Sequence, residues 1–470
     1  MGGFILFLKL VSTIPIPKEK LSFMFFQLSV SQSFSGLSLT QKPFTGVLSQ
    51  LRTTCKFMPQ NINNNLGFTP TSSNKMHLDL NSCFASIEQQ ANPFLRGKPL
   101  VVAAYNSPGG CILASSIEAK KLNIKTGMRV KDARSIYPDI LVTTPDPNKY
   151  RQVHLDLKKI LFVYSPQVSP KSIDEFVIDF TNCLNVKKGL FEIAREIKTR
   201  IKSNLGEWLT VSIGIAPSRF LAKTASNLQK PDGLNEINKI NFLKIYQNLK
   251  LTDLHGINIR NELRLNNVGI HSVVDFYLAD KLRLKAAFKS IAADYWYARL
   301  RGYEVDAVDF SRKTFGNSYA LPHSKGTTEE LLPILQKLVE KTGARLRQAG
   351  FFAQGIHLSL FFRDHTLWHK SCFLKKTIFD SRDIYQEAVH ILKQCPLKPV
   401  HTLSVNCFAL VPNKNMQLEI FTDVEEKQNL VKSIDKINTR FGNFILTPAR
   451  MVLVKDKVID RIAFGNVQEL

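Results

Sequence analysis

Asp174 and Glu175 stand side by side in Ser172-Ile173-Asp174-Glu175-Phe176-Val177-Ile178-Asp179-Phe180, a stretch whose remaining residues read as a buried, β-branched strand. Burying a carboxylate without a partner is costly, so a pair of them in such a strand implies bound cations. Asp79 closes a second short apolar strand, Met76-His77-Leu78-Asp79-Leu80, that turns directly into the helix-like run Asn81-Ser82-Cys83-Phe84-Ala85-Ser86-Ile87-Glu88. Alone, Asp79 reads as the cap of that helix. Together, three carboxylates on two neighbouring strands form a set able to hold two Mg2+ ions for phosphoryl transfer. The pleat imposes one constraint. Consecutive strand residues face opposite ways, so Asp174 and Glu175 converge only at a bend or a strand end.

A second chemical segment runs Val211-Ser212-Ile213-Gly214-Ile215-Ala216-Pro217-Ser218-Arg219-Phe220-Leu221-Ala222-Lys223, continuing to Lys230-Pro231-Asp232-Gly233. It reads as a strand, a loop and a helix whose N-terminus can receive an anion, with Lys223 and Lys230 further along. Leu251-Thr252-Asp253-Leu254-His255-Gly256-Ile257-Asn258 followed by Val268-Gly269-Ile270 reads as a helix-hairpin-helix, whose backbone N–H groups meet phosphates without reading sequence. His255 reads as a hairpin residue rather than a ligand. Gln417-Leu418-Glu419-Ile420-Phe421 follows a Pro/Asn/Lys linker and has the form of a short peptide that docks apolar anchors into a partner's pocket.

The elements that must position these residues alternate. Strands are expected at 76 to 80, 99 to 105, 173 to 180 and 208 to 215, with helices at 82 to 91, 116 to 122, 129 to 136, 148 to 164 and 189 to 204. This is an α+β core. A helical region at 237 to 305 follows. Helices near 328 to 349 and 381 to 394, with strands near 355 to 363, 371 to 379 and 400 to 410, make a second α+β domain resembling part of a split βαβ unit. Residues 1 to 75 are rich in Ser, Thr, Gln, Asn and Pro and nearly free of acids, and they read as a disordered extension in which Met58 and Met76 stand as alternative starts.

With 470 residues, the chain holds about three or four domains at one per about 150 residues. A net charge of +24 exceeds what solubility needs and favours a polyanionic partner, nucleic acid before an anionic membrane. The seven cysteines are scattered without a CxxC, which points to a reducing, cytoplasmic setting and away from a disulfide framework or a structural zinc. No apolar run reaches the about 20 residues of a membrane span, and the apolar opening residues lack the basic region and cleavage site of a signal peptide.

The motifs, in their order and spacing, resemble the Y-family of translesion DNA polymerases, closest to the bacterial DNA polymerase IV (DinB-like) branch. The pieces that carry the resemblance are Asp79 to Glu88 with Asn92-Pro93, Gly97-Lys98-Pro99, Ser172 to Glu175, Ser212 to Ala216 with Leu221-Ala222-Lys223, Lys230 to Gly233, and Lys313-Thr314-Phe315-Gly316-Asn317-Ser318. The resemblance implies a multidomain α+β right hand: palm (76–82 and 147–236), fingers (83–146), thumb with the hairpin motif (237–312), little finger (313–412) and a C-terminal tail (413–470). It implies template-directed, low-fidelity synthesis past damaged bases, distributive alone, by a monomer acting on primer-template DNA and dNTPs with two Mg2+ ions. Asp79 and Asp174 would bridge both metals and Glu175 would complete the site near the primer. Phe84 falls at the steric gate that rejects a ribose 2'-OH, and Lys230 at the triphosphate contact. Gly256, Lys313, Asn317 and Ser318 would meet DNA, and Gln417, Leu418, Ile420 and Phe421 would bind the sliding clamp.

Ile117 and Lys120 replace the Tyr and Arg with which that branch grips the triphosphate, and the segments Asn106 to Cys111 and Ser116 to Lys120 also resemble the UmuC-like branch. Lys120 keeps the charge without the bidentate fork, and Ile117 cannot donate a hydrogen bond. Asn258 replaces the second hairpin Gly. Two rival readings stand beside the polymerase: a non-catalytic polymerase-like scaffold for the clamp and mutasome partners, and a two-metal cyclase on a palm-like fold. The retained acids weigh against the first, and the hairpin and clamp-like peptide have no use in the second. Residues 422 to 470 lie beyond the resemblance and suggest no function.

Overall fold

The computed structural model describes residues 66–183, 188–307, 312–325, 327–396, 398–413, 424–455 and 457–458. Those up to 307 form one compact unit and those from 312 form another. Most of the expected N-terminal extension and all of Gln417 to Phe421 lie outside the described residues. Residues 66–74 correct the expectation of disorder up to 75. Phe68 stacks on Phe242 with ring centroids 4.2 Å apart, the Thr69 amide donates to the Arg301 carbonyl at 2.8 Å, and Arg301 Nε donates to the Leu66 carbonyl at 2.7 Å. One buried aromatic ring and these two hydrogen bonds tie a polar stretch to the helices behind it.

The first unit runs β1 (Lys75–Leu80), α1 (Cys83–Ala91), β2 (Leu100–Ala103), β3 (Ile112–Ser115), α2 (Ile117–Lys121), α3 (Val130–Ile136), β4 (Leu141–Thr143), α4 (Pro147–Phe162), β5 (Val168–Pro170), β6 (Glu175–Asp179), α5 (Leu190–Leu205), β7 (Val211–Ala216), α6 (Arg219–Leu228) and β8 (Leu234–Glu236). The helices α7 (Phe242–Asn248), α8 (Ile259–Asn266), α9 (Val273–Leu278), α10 (Lys281–Phe288) and α11 (Ala292–Arg299) complete it. Its main sheet has the order β5-β6-β1-β7-β8, with β1 central and antiparallel to both neighbours. A smaller sheet has the order β3-β2-β4.

Burial dictates this arrangement. All six residues of β7 are buried, as a central strand covered on both faces requires. Gly214 lets α6 lie directly on that strand, because a Cβ there would meet the Ala222 carbonyl oxygen at 2.0 Å and the Ser226 amide at 2.2 Å. Lys223, on α6, is thereby carried over the sheet. Among the described residues, no helix is long and apolar enough to cross a membrane.

The second unit runs β9 (Thr314–Lys325), α12 (Thr328–Gln348), β10 (Phe351–Phe362), β11 (Leu367–Ile378), α13 (Ser381–Leu392), β12 (Val400–Pro412) and α14 (Val424–Phe441). Its sheet, ordered β11-β10-β12-β9, pairs antiparallel throughout. The leading strand β9 precedes the expected order of helix, two strands, helix and strand and makes a full βαββαβ unit. Helix α14 was not expected. Its Val431 packs with Phe352 and Phe379, while Met451, Val454 and Val458 beyond it enter the core under α12. Polar contacts reinforce the return. Arg347 makes a two-point contact with Asp435 at 2.7 and 2.8 Å, and Lys427 holds Asp383 at 2.6 Å. Lys337 Nζ donates to the carbonyls of Val454, Lys455 and Lys457, and Lys341 Nζ to that of Val458.

Candidate active site

The sheet register brings the acids together. Asp79 lies opposite Glu175 on one side and Ser212 on the other. Strand β6 begins at Glu175, so Asp174 occupies the bend before it rather than a strand position. This corrects the expected strand start at 173 and satisfies the constraint of the pleat, because the bend frees Asp174 to face the side that Asp79 and Glu175 share. The bend is held from several directions. The Leu80 amide donates to the Asp174 carbonyl at 2.9 Å and the Lys171 amide to the Glu175 carbonyl at 2.8 Å. His154 Nδ1 lies 2.9 Å from the Ile173 carbonyl oxygen, and the Ser172 hydroxyl donates to Asp174 at 2.5 Å. Asp79 does not cap α1: the residue before that helix is Ser82, at φ +50° with no side-chain cap bond.

Each acid has a distinct electrostatic setting. Burial pushes the Asp174 carboxyl above its usual range, and the charges of Asp79 and Glu175 push it further, against the bond from Ser172. Burial also pushes Glu175 up, but hydrogen bonds from His77 and Lys223 and the Lys223 charge prevail and hold it at about 2. Lys223 Nζ lies 2.8 and 2.7 Å from the two Glu175 oxygens, and Lys230 Nζ lies 2.8 Å from Asp79. Burial raises the Cys83 thiol well above its ordinary value, with the Asp174 and Asp79 charges adding to it.

Among the described residues, no three His, Cys, Asp or Glu side chains are already gathered into a metal cage. Instead, two lysines neutralise two of the three acids, and Asp174 is left buried beside like charges. That is a site short of positive charge, lined by hard oxygen donors, and it fits divalent cations.

Other expected residues fall around it. Phe84 is only 2% exposed and stacks flat on Tyr150, with centroids 4.5 Å apart; the Tyr150 hydroxyl donates to Glu88 at 2.7 Å. Burial and the nearby Lys230 charge pull the Lys120 ammonium down while Asp79 and Asp174 push it back, which places Lys120 within electrostatic reach of the acids. Gly256 adopts φ +97°, a conformation that needs glycine. Asn258 is the N-cap of α8, its Oδ1 accepting from the Asn261 amide at 2.9 Å, which accounts for a non-glycine there. Burial lowers His255, as does Lys223, partly offset by Glu175, so the hairpin lies beside the acidic site.

In the second unit, Lys313 and Ser318 are exposed on or just before β9, an edge strand able to run along a phosphate backbone. The Asn317 side chain donates to the Thr342 hydroxyl at 2.9 Å and accepts from Arg345 at 2.7 Å, so it faces α12.

Two groups escaped the sequence reading. His77 is buried, with Nδ1 3.2 Å from the Ser226 hydroxyl and Nε2 3.7 Å from Glu175. Its signal was the strand period, which sets residue 77 on the face of residue 79. The second group surrounds Asn81, whose Oδ1 accepts from the Asp232 amide in the turn after Lys230.

Residues 78–227 match the impB/mucB/samB family, and residues 312–420 match the impB/mucB/samB family C-terminal domain. DNA polymerase IV 1 of Bacillus subtilis (strain 168) is 31% identical over 380 residues, covering 79% of this chain and 91% of the relative. DNA polymerase IV of Pelotomaculum thermopropionicum is 31% identical over 372 residues, covering 77% and 92%. Among solved structures, the Y-family DNA polymerase chimera Dbh-Dpo4(243-245)-Dbh superposes with a TM-score of 0.64 at 25% identity, covering 72% of this chain and 99% of that one. An insertion ternary complex of Dbh DNA polymerase gives a TM-score of 0.53 at 25% identity, with the same coverage.

Proposed function

Because the chain belongs to the impB/mucB/samB family of Y-family DNA polymerases, we propose that Asp79, Asp174 and Glu175 carry its chemistry by holding two Mg2+ ions. The protein is a DNA-directed DNA polymerase of translesion synthesis that uses a divalent metal and acts on primer-template DNA and nucleotides. The observation that carries the residue assignment is the register: Asp79 opposite Glu175, with Asp174 released by the bend into the same buried, negatively charged space. Bound there, the ions would lower the pKa of the primer 3'-hydroxyl and neutralise the triphosphate.

The chain's own side chains do the rest. Lys223 and His77 hold Glu175 ionised and oriented near the primer end. Lys230, 37% exposed, exchanges its Asp79 partner for triphosphate oxygens when nucleotide arrives. Lys120 adds a second, point-like positive charge. The Phe84 ring, immobilised against Tyr150, sets the floor on which the sugar rests. Phe84→Ala should therefore improve ribonucleotide incorporation relative to deoxynucleotide by about 10 to 100-fold, the value of one relieved steric overlap. Competition between rNTP and dNTP on a primed template reads this directly, and an unchanged ratio assigns the gate elsewhere.

The exposed edge strand β9 and the hairpin at Gly256 supply backbone and charge contacts to phosphates, which hold DNA without base readout. The protein works as a cytoplasmic monomer and is recruited through Gln417, Leu418, Ile420 and Phe421 by the sliding clamp. Replacing Leu418 and Phe421 by Ala should abolish clamp-stimulated synthesis and leave unassisted extension unchanged; equal stimulation of both proteins would reject the peptide. The scaffold reading is disfavoured because all three acids are present and the relatives are named as polymerases.

A further inference from the structure

The turn that presents Lys230 is gripped from both sides by groups that no step above uses. On the strand side stands Asn81, 4% exposed and two residues beyond Asp79. Its Oδ1 accepts from the Asp232 amide at 2.8 Å and from the Thr210 hydroxyl at 3.2 Å, and its Nδ2 donates to the Ser212 hydroxyl at 2.9 Å. Ser212 Oγ in turn accepts from the Gly233 amide at 3.3 Å. On the helix side, Lys198 and Lys202 of α5 reach the Asp232 carboxylate at 3.0 and 3.1 Å. Gly233 closes the turn tightly, because a Cβ there would meet the Gln229 carbonyl oxygen at 2.0 Å.

The end of β1 thus carries both the carboxylate that Lys230 meets and the amide that fixes the turn from which Lys230 projects. A buried side-chain amide whose oxygen accepts two hydrogen bonds and whose nitrogen donates a third is a rigid tether, because any displacement leaves polar groups unpaired. We infer that Asn81 is a positioning residue: it sets the Lys230 ammonium at the height of the incoming triphosphate. The inference rests on the reading of Lys230 as a triphosphate contact. Small displacements of a charged contact are costly in catalysis, an ångström being able to lower rates by as much as about 100-fold. The essential feature is the acceptor oxygen for the Asp232 amide. An Asp at 81 would retain that oxygen, whereas an Ala or Ser would not reach it.

The test is steady-state single-nucleotide insertion on primed DNA by the full chain carrying Asn81→Ala, Asn81→Asp, Lys230→Ala, or Asn81→Ala with Lys230→Ala. Primed-DNA affinity and melting temperature are measured alongside. Expected are a rise in the dNTP KM of about tenfold for Asn81→Ala, with kcat within about threefold. Asn81→Asp should return KM to within about twofold of the parent, and the double variant should match Lys230→Ala alone. If Asn81→Ala does not fold, Asn81→Ser is read in its place. A raised KM for Lys230→Ala with an unchanged KM for Asn81→Ala, or additive effects in the double variant, overturns the inference and leaves the Lys230 role intact. An unchanged KM for Lys230→Ala removes the triphosphate reading and the inference with it.

Discussion

Asp174→Asn is expected to slow nucleotide addition by at least about 1000-fold while primed-DNA affinity stays within about threefold. The substitution keeps the size of the side chain and an oxygen for the Ser172 hydroxyl, so the bend before β6 is undisturbed. It removes the one acid that no lysine neutralises among the pairs seen at this site. In the absence of metal the parent carries a cost there, because burial and the charges of Asp79 and Glu175 disfavour an ionised Asp174. The metal-free variant should therefore melt at the same temperature as the parent or higher, the opposite direction from its activity. Single-turnover extension and calorimetry on the same preparation check both halves. A variant that loses stability along with activity would mean that Asp174 is structural, and one that retains activity would remove it from the chemistry.

Ending the chain at residue 423 should unfold the second unit, although the match to the family's C-terminal domain stops at 420. The truncation removes Val431, Met451, Val454 and Val458, all buried, from two apolar clusters. At about 1.5 to 3 kcal/mol for each buried side chain the loss is about 6 kcal/mol or more, which equals the whole stability of many domains. It also strips Lys337 of three carbonyl acceptors and Arg347 of the Asp435 carboxylate. Calorimetry should show the loss of one transition, or a fall of more than about 15 °C, with the transition of the first unit in place. A second-unit transition within about 5 °C of the parent would show that residues 424–458 are an appendage.

How far the sequence could be read depended on the range of the forces involved. Asp79, Asp174 and Glu175 stood out because a charge in an apolar strand conflicts with its neighbours, and that conflict is visible within five residues. The partners of these acids were harder to see. That Lys223 reaches Glu175 and Lys230 reaches Asp79 depends on the sheet register and on the close approach of α6 over Gly214, both long-range facts. Strands β4, β5 and β8 span three residues each, too few for a period to register. The DNA contact expected at Asn317 comes from the resemblance, while its side chain turns to α12, a choice made by tertiary packing. The extent of order before β1 was missed for a related reason: Phe68 finds its stacking partner 174 positions later, at Phe242.

Extension of a primer by the full-length protein, with Mg2+ and one dNTP at a time, on an undamaged template and on the same template bearing a lesion, tests the central claim most directly. The account predicts addition of the complementary nucleotide on the first template and continued addition across the lesion on the second, both abolished by chelating the metal. A protein that binds the primed template tightly yet adds no nucleotide to either would contradict it.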